Sequence, residues 1–484
     1  MDIQSHWTQN TSHTKPELPD IFWDTENLRK SGRPSGEFYA PISNIPFDQV
    51  EAAFGIALHM HQPMIPASSD DLKNAALISN LQYMLEHPYI PDNHNAPVFL
   101  RCYERMADII PELVADGKNP RVMLDYSGNL LWGLQQIEGG RVLERLKEIA
   151  CDPRYYRNVE WLGTLWSHAV VSGTPVPDIK LHIEAWLRHF ASIFGQEALS
   201  RVKGFSPPEM QLPIHPDVCY EYVKALKEAG YEWLLAQEHT VEHLDGSPLR
   251  RPYFPHRLVA KNSLGQIQEI SVLIKTQGSD TKLVGQMQPY YEAKTKKRQD
   301  YQGKTLPPYV VQISDGENGG VMMNEFPPAY HRAFDEITLQ GVVAMNGSEY
   351  LELIRKNTGI KDSDFVPVQP VMQHRIWEFW EAGAAQAIER AKQKYPNLYL
   401  DQASWTNNIS WVKGYENVLD PIRRLSVAFH QRFDITKETS SPAYREGLVY
   451  LLLSQTSCFR YWGEGVWTEY AKEICRRGME VLVM

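Results

Sequence analysis

Beyond residue 50 the chain alternates between two patterns. Short apolar runs end in polar clusters, and longer segments repeat their apolar residues every three or four positions. The first pattern predicts strands at 53–61, 120–128, 159–168, 201–203, 231–237, 270–276, 309–314 and 341–346. The second predicts helices at 98–115, 141–150, 179–194 and about 216–229, the last closed by Gly230. A further helix is expected at 349–355, capped by Ser348. Strand followed by helix, about seven times over, predicts a parallel barrel or a doubly wound sheet.

The position of the polar residues separates these two folds. His61, Asp125, His168, Glu209 and Asp315 lie at or just past the C-terminal ends of predicted strands. In a barrel of alternating strands and helices that rim carries the chemistry. The expected fold is therefore α/β, an incomplete or distorted (β/α)7 barrel. From about Pro370 the pattern turns helical, at 374–395, 421–433, 442–457 and 467–482. Residues 1–50 carry five prolines and little periodicity, which predicts an irregular arm with Phe22 and Trp23 as docking points. The expected divisions are 1–50, a catalytic barrel over 51–370 and a helical C-terminal domain over 371–484.

Composition narrows the function. A net charge of −10 argues against a nucleic-acid partner. No apolar run approaches membrane-spanning length, and the N-terminal stretch lacks the apolar core of a secretory signal. The five cysteines are scattered without CxxC spacing, as expected of reduced thiols in a cytoplasmic protein. Thirteen Trp and 24 Tyr are a large stock of the flat faces on which sugar rings stack, although most aromatic residues serve the core.

The stretch from Gly204 to Gln211 sets two prolines directly before Glu209, which holds that carboxylate on a stiff, extended backbone. Asp315 follows another strand, beside Gly316, Gly319 and Gly320, where a ligand or backbone can approach closely. Two carboxylates converging from separate strand ends suit glycosidic bond cleavage, one as nucleophile or base and the other as proton donor. A turn or calcium loop built from Asp-Gly-Glu-Asn is the competing use of the second stretch. Period-two alternation puts His59 and His61 on one strand face. With His168 and Asp125 they could hold sugar hydroxyls or a metal, but these residues lack the HxxxH or HExxH spacing of a helical metal site, so neither metal nor cofactor is expected. Trp166, Trp411 and Trp462 are candidate walls of the cleft.

Four of these stretches, in order, resemble glycoside hydrolase family 57: His61-Gln62-Pro63, Ser167-His168, Pro208-Glu209 and Asp315-Gly316-Glu317-Asn318. The last block is most similar to amylopullulanase-type members. The resemblance runs from about residue 54 to the helical tail. It implies a (β/α)7 barrel with a helical C-terminal domain and a retaining mechanism that requires no metal. It also implies Glu209 as nucleophile, Asp315 as general acid/base, and His61 and His168 lining the site of the reacting sugar. The implied substrates are α-glucans or related oligo- and polysaccharides, with His59, Glu317 and tryptophans orienting hydroxyls and stacking rings. Two positions depart from the family. Ser206 stands where a Trp often precedes the nucleophile by three residues, and Gly319-Gly320 replace Ala-Trp. The rival readings are a catalytically silent glucan-binding protein and a metal-dependent carbohydrate hydrolase or deacetylase.

Overall fold

The computed structural model describes residues 17–22, 36–67, 71–276, 281–317, 320–337, 341–382, 384–398, 400, 403–405, 408–410, 416–433, 440–461 and 465–483. Seven strands bear the fold: β1 (Ala52–Met60), β2 (Val122–Tyr126), β3 (Val159–Leu162), β4 (Gly204–Phe205), β5 (Trp233–Gln237), β6 (Ile267–Lys275) and β7 (Tyr309–Asp315). Strand β1 pairs in parallel with β2 on one side and β7 on the other. From β2 the parallel ladder passes to β3, and from β4 through β5 and β6 to β7. Between β3 and β4 the Gly163 N–H donates to Gly204 O at 3.0 Å and the Ser206 N–H donates to Gly163 O at 2.8 Å.

The seven strands thus close into the expected (β/α)7 barrel. Its distortion lies in two thin seams, the short β3–β4 junction and the single register pair Lys275–Val311 between β6 and β7.

Side-chain alternation sorts the strands into two faces. Ala53, Ala57, Met123, Leu162, Leu235, Leu273, Val311 and Ile313 point inward and pack together as the barrel interior. Phe54, Leu58, Leu124, Trp161, Leu234 and Val310 point outward into a second cluster with the surrounding helices. The interior is closed at its lower end by α3 (Gly347–Thr358), after α1 (Gly128–Gln136) and α2 (Val176–Ser200) in chain order. There Arg121 donates to both carboxylate oxygens of Glu349, at 2.7 and 2.9 Å, with neither side chain exposed by more than 1%. Asn346, not the expected Ser348, occupies the N-cap position of α3. The Ser348 hydroxyl is drawn instead to the buried Glu160 carboxylate and also accepts from Trp233 Nε1 at 2.8 Å.

Three short strands that the sequence pattern did not mark, Val241–His243, His256–Lys261 and Val366–Pro370, extend the sheet beyond β6. The expected strand at 341–346 is Val342–Ala344, which flanks the start of β1 outside the ring. The C-terminal region is helical as expected, with α4 (Glu416–Arg432), α5 (Pro442–Ser454) and α6 (Val466–Val483). Its Leu425, Leu451 and Ile474 join the same apolar cluster as Phe54, Trp186 and Phe190, so these helices bury their faces directly on the barrel's helical shell. Of the two aromatic docking points, Phe22 lies under the Arg445 guanidinium at 5.3 Å, and Trp23 is outside the described residues.

Candidate active site

The C-terminal ends of β1, β2 and β7 form one layer. His59 is in register with Asp125 on one side and Asp315 on the other, and its Nδ1 is 2.9 Å from Asp125 Oδ2. Burial alone would lower the pKa of His59, but Asp125, followed by Asp315 and Glu317, lifts it to about 10. At neutral pH this imidazole is a cation set between carboxylates. The ladder continues one step beyond Asp315, where the Gly316 N–H donates to His59 O at 2.7 Å. A Cβ at Gly316 would stand 2.1 Å from the Met60 methyl, so any side chain there would have to displace the Met60 thioether.

One step higher, the His61 Nδ1 is 2.7 Å from Ser127 Oγ. Ser127 caps α1 by accepting the Leu130 N–H, which leaves its own hydrogen to donate to His61. The His61 proton is thereby placed on Nε2, a buried atom with no partner among the described residues. His168 follows the same plan, with Nδ1 2.6 Å from Ser457 Oγ and a buried Nε2 likewise unpartnered. The His168 ring stacks at 4.4 Å on both His59 and His61. Burial and the neighbouring imidazoles hold His61 and His168 well below the ordinary histidine range, so both are neutral.

Glu209 comes to this group from the Pro207-Pro208 turn. Its Oε1 lies 3.9 Å from His168 Nδ1, and its side chain keeps 27% of its surface exposed. Burial and then repulsion from Asp315 push its pKa up to about 8, against an opposing pull from His59. Glu209, Met210 and His168 all adopt left-handed backbone, with φ of 57°, 53° and 59°, so the backbone at Glu209 is not the extended one expected from the two prolines. Three strained non-glycine residues gathered at a cluster of titratable groups mark a site that the surrounding fold holds in place.

Glu317 accepts the His61 N–H at 3.2 Å and is likewise raised to about 8, by burial and by Asp315. Arg105 anchors the backbone of this turn, donating to Gly316 O at 2.7 Å and to Met322 O at 2.6 Å. Lys275 lies buried at the end of β6, where burial presses it down to about 8 against the pull of Asp315. Each Arg105 bond is charge-assisted and contributes about 1.5–3 kcal/mol. Arg105→Ala is therefore expected to lower kcat/KM about 10- to 100-fold by loosening the Asp315 turn. It should also lower Tm by several degrees. Steady-state kinetics beside thermal unfolding tests this, and Arg105→Lys should recover only part of the loss.

A set of carboxylates and imidazoles at the C-terminal mouth of a parallel seven-stranded barrel is what the sequence resemblance implied. The sequence model of Glycosyl hydrolase family 57 matches residues 55–356. The chain belongs to glycosyl hydrolase family 57. Among solved structures, an exo-type maltose-forming amylase from Pyrococcus sp. ST04 is similar with a TM-score of 0.55 at 10% identity, over 89% of this chain and 79% of that one. The 4-α-glucanotransferase of Thermococcus litoralis gives 0.53 at 16% identity, over 90% of this chain and 60% of that one. A family 57 branching enzyme of Thermococcus kodakaraensis, solved with glucose, gives 0.52 at 12% identity, over 89% and 88%. This family 57 chain thus spans 60% of the length of the glucanotransferase. No curated protein matches the sequence.

The site of this family 57 member gathers His59, His61, Asp125, His168, Glu209, Asp315 and Glu317. Trp166, expected to wall the cleft, has no exposed surface. Its indole donates to His189 Nδ1 at 3.1 Å and lies where a Gly128 Cβ would come within 2.1 Å, so it packs behind the site. Trp411, Trp462, Asn318 and Gly319 are outside the described residues. Asp125 is buried behind His59 and acts through it. Among the described residues no three His, Cys, Asp or Glu side chains converge as metal ligands would. Sequence reading missed Arg105, Lys275 and Ser457. Arg105 sits mid-pattern in a predicted helix, and Ser457 ends one about 290 residues from the histidine it meets. Among the described residues no helix is long and apolar enough to cross a membrane.

Proposed function

We propose that the chain is a retaining glycosidase or transglycosidase acting on α-glucans or related oligosaccharides. The reaction is a double displacement, with Glu209 as nucleophile and Asp315 as general acid/base. One observation carries this reading. The charge of Asp315 acts on Glu209 beside two neutral histidines whose Nε2 atoms are buried and without a partner among the described residues. Buried polar atoms without partners are costly, and sugar hydroxyls would satisfy them. The names of the similar solved structures, an amylase, a glucanotransferase and a branching enzyme, support α-glucans as the substrate class.

The charge pattern suggests how the roles are set. In the free site Glu209 holds a proton more tightly than an ordinary carboxyl, while Asp315 is solvent-exposed. The His59 cation pulls the other way and favours the ionised carboxylate that the attack requires. Glu209 attacks the anomeric carbon as Asp315 protonates the departing oxygen, and Asp315 then takes a proton from water or a sugar hydroxyl as the glycosyl–Glu209 bond breaks.

The test is chromatography of products from maltoheptaose, amylose and pullulan, with Glu209→Gln run alongside. Shorter products alone mean hydrolysis, and a ladder that includes longer ones means transfer. Either is expected to vanish in Glu209→Gln. Intact wild-type protein that leaves every glucan unchanged would overturn the assignment.

A further inference from the structure

The last polar element of the site comes from the C-terminal helices. After α5 the chain turns inward, and consecutive residues fasten it to the barrel. Gln455 Oε1 meets His182 Nε2 at 2.8 Å, and Gln455 Nε2 donates to Asp178 Oδ2 at 2.7 Å. Thr456 forms an antiparallel bridge with Ala169 and accepts from Asn129 Nδ2 at 3.1 Å. The Ser457 N–H donates to His168 O at 3.3 Å, while its side chain reaches His168 Nδ1 at 2.6 Å. Gln455, Thr456 and Ser457 are each exposed by at most 1%. The strap therefore holds both the strained backbone and the ring of His168.

A neutral imidazole carries one proton, and its two nitrogens here have different neighbours. Nε2 has no partner among the described residues, whereas Nδ1 also lies 3.9 Å from Glu209 Oε1. A proton on Nδ1 would point at Ser457 Oγ and would leave Nε2 a bare acceptor. A buried hydroxyl hydrogen needs an acceptor, and Nδ1 stands at hydrogen-bonding distance. We propose that Ser457 is a positioning residue: its hydroxyl donates to His168 Nδ1 and fixes the imidazole proton on Nε2, the nitrogen offered to the reacting sugar. The catalytic weight of this device rests on the glycosidase reading above, but the tautomer itself does not.

The experiment is NMR of the full chain labelled with 15N-histidine, with the His168 signals identified by their loss in His168→Gln. Wild type should show His168 protonated at Nε2. Ser457→Ala should shift proton density to Nδ1 and lower kcat about 10- to 100-fold with KM within about threefold. Ser457→Thr, which keeps the hydroxyl, should restore the wild-type tautomer and most of kcat. Thr456→Val, which loosens the strap but spares the hydroxyl, should leave the tautomer unchanged. If Ser457→Ala does not fold, Ser457→Cys gives the same readout through a weak donor. An unchanged His168 tautomer in Ser457→Ala, or in Ser457→Cys where the alanine variant does not fold, would overturn the proposal, as would an equal change in Thr456→Val. Absence of glucan activity in wild type would instead overturn the reading of function, leaving the tautomer result to be judged separately.

Discussion

Glu209→Ala is expected to lower turnover of α-glucans by about ten-thousand-fold or more, because it removes the atom that forms the covalent intermediate. Binding should survive, since the histidines, Glu317 and the barrel mouth remain. Azide is small enough to occupy the space the carboxylate leaves. It should restore part of the activity by attacking the anomeric carbon from the nucleophile's side, giving a β-glycosyl azide from an α-linked substrate. The same variant should be more stable than wild type at alkaline pH. Glu209 binds its proton in the folded chain up to about pH 8, against 4.5 ordinarily. Between those values the native state holds more protons than the unfolded one, so the stability tied to this group falls as pH rises. Removing the carboxyl removes that decline. Rate, azide stereochemistry and thermal unfolding at pH 5 and 8.5 together test the assignment. A β-azide product is the decisive result, and an unaltered rate would end the case for Glu209.

The parts of this site that were legible in the sequence share one property, that local pattern fixes them. Period-two alternation on β1 set His59 and His61 on one face, and the two prolines before Glu209 marked a carboxylate delivered by rigid backbone. Strand ends supplied Asp125, His168 and Asp315. What was hidden depends on packing between distant segments. Trp166 follows a strand end like the functional residues do, but its neighbour across the helical shell is Gly128, whose missing side chain makes room for an indole in the core. Ser348 has the right type for a cap, yet it lies inside the helix that Asn346 caps, its hydroxyl donating to the buried Glu160 and accepting from Trp233. The sequence pattern put Ser457 and Arg105 in helical stretches, whose periodicity reports burial and says nothing of which polar group they will meet.

The electrostatic design follows from crowding. Asp125, Glu209, Asp315 and Glu317 surround one histidine cation, His59, with Lys275 buried below. Glu209 and Glu317 accordingly keep their protons up to about pH 8. Their protons belong to the group, and a charge removed at one position is felt at the others. Asp315 is the member whose charge lifts both Glu209 and Glu317.

Asp315→Asn therefore tests both the chemistry and the coupling. With natural glucans, whose departing sugar oxygen needs a proton, the rate should fall about 100- to 10,000-fold. An aryl glycoside with a good leaving group needs no such help, so its first step should be nearly unaffected. Its second step, which needs Asp315 as base, should become limiting and let the glycosyl–Glu209 intermediate accumulate as a burst. Azide requires no base and should release that intermediate as an α-glycosyl azide, the opposite anomer to the one expected from Glu209→Ala. In the same variant Glu209 and Glu317 lose the repulsion that raises them, and both should titrate closer to the ordinary carboxylate range. The alkaline decline in stability should then be shallower than in wild type. If the two azide products appear with their anomers exchanged, the roles of Glu209 and Asp315 are exchanged as well. If Asp315→Asn slows aryl and natural substrates equally with no burst, Asp315 holds the substrate and moves no proton.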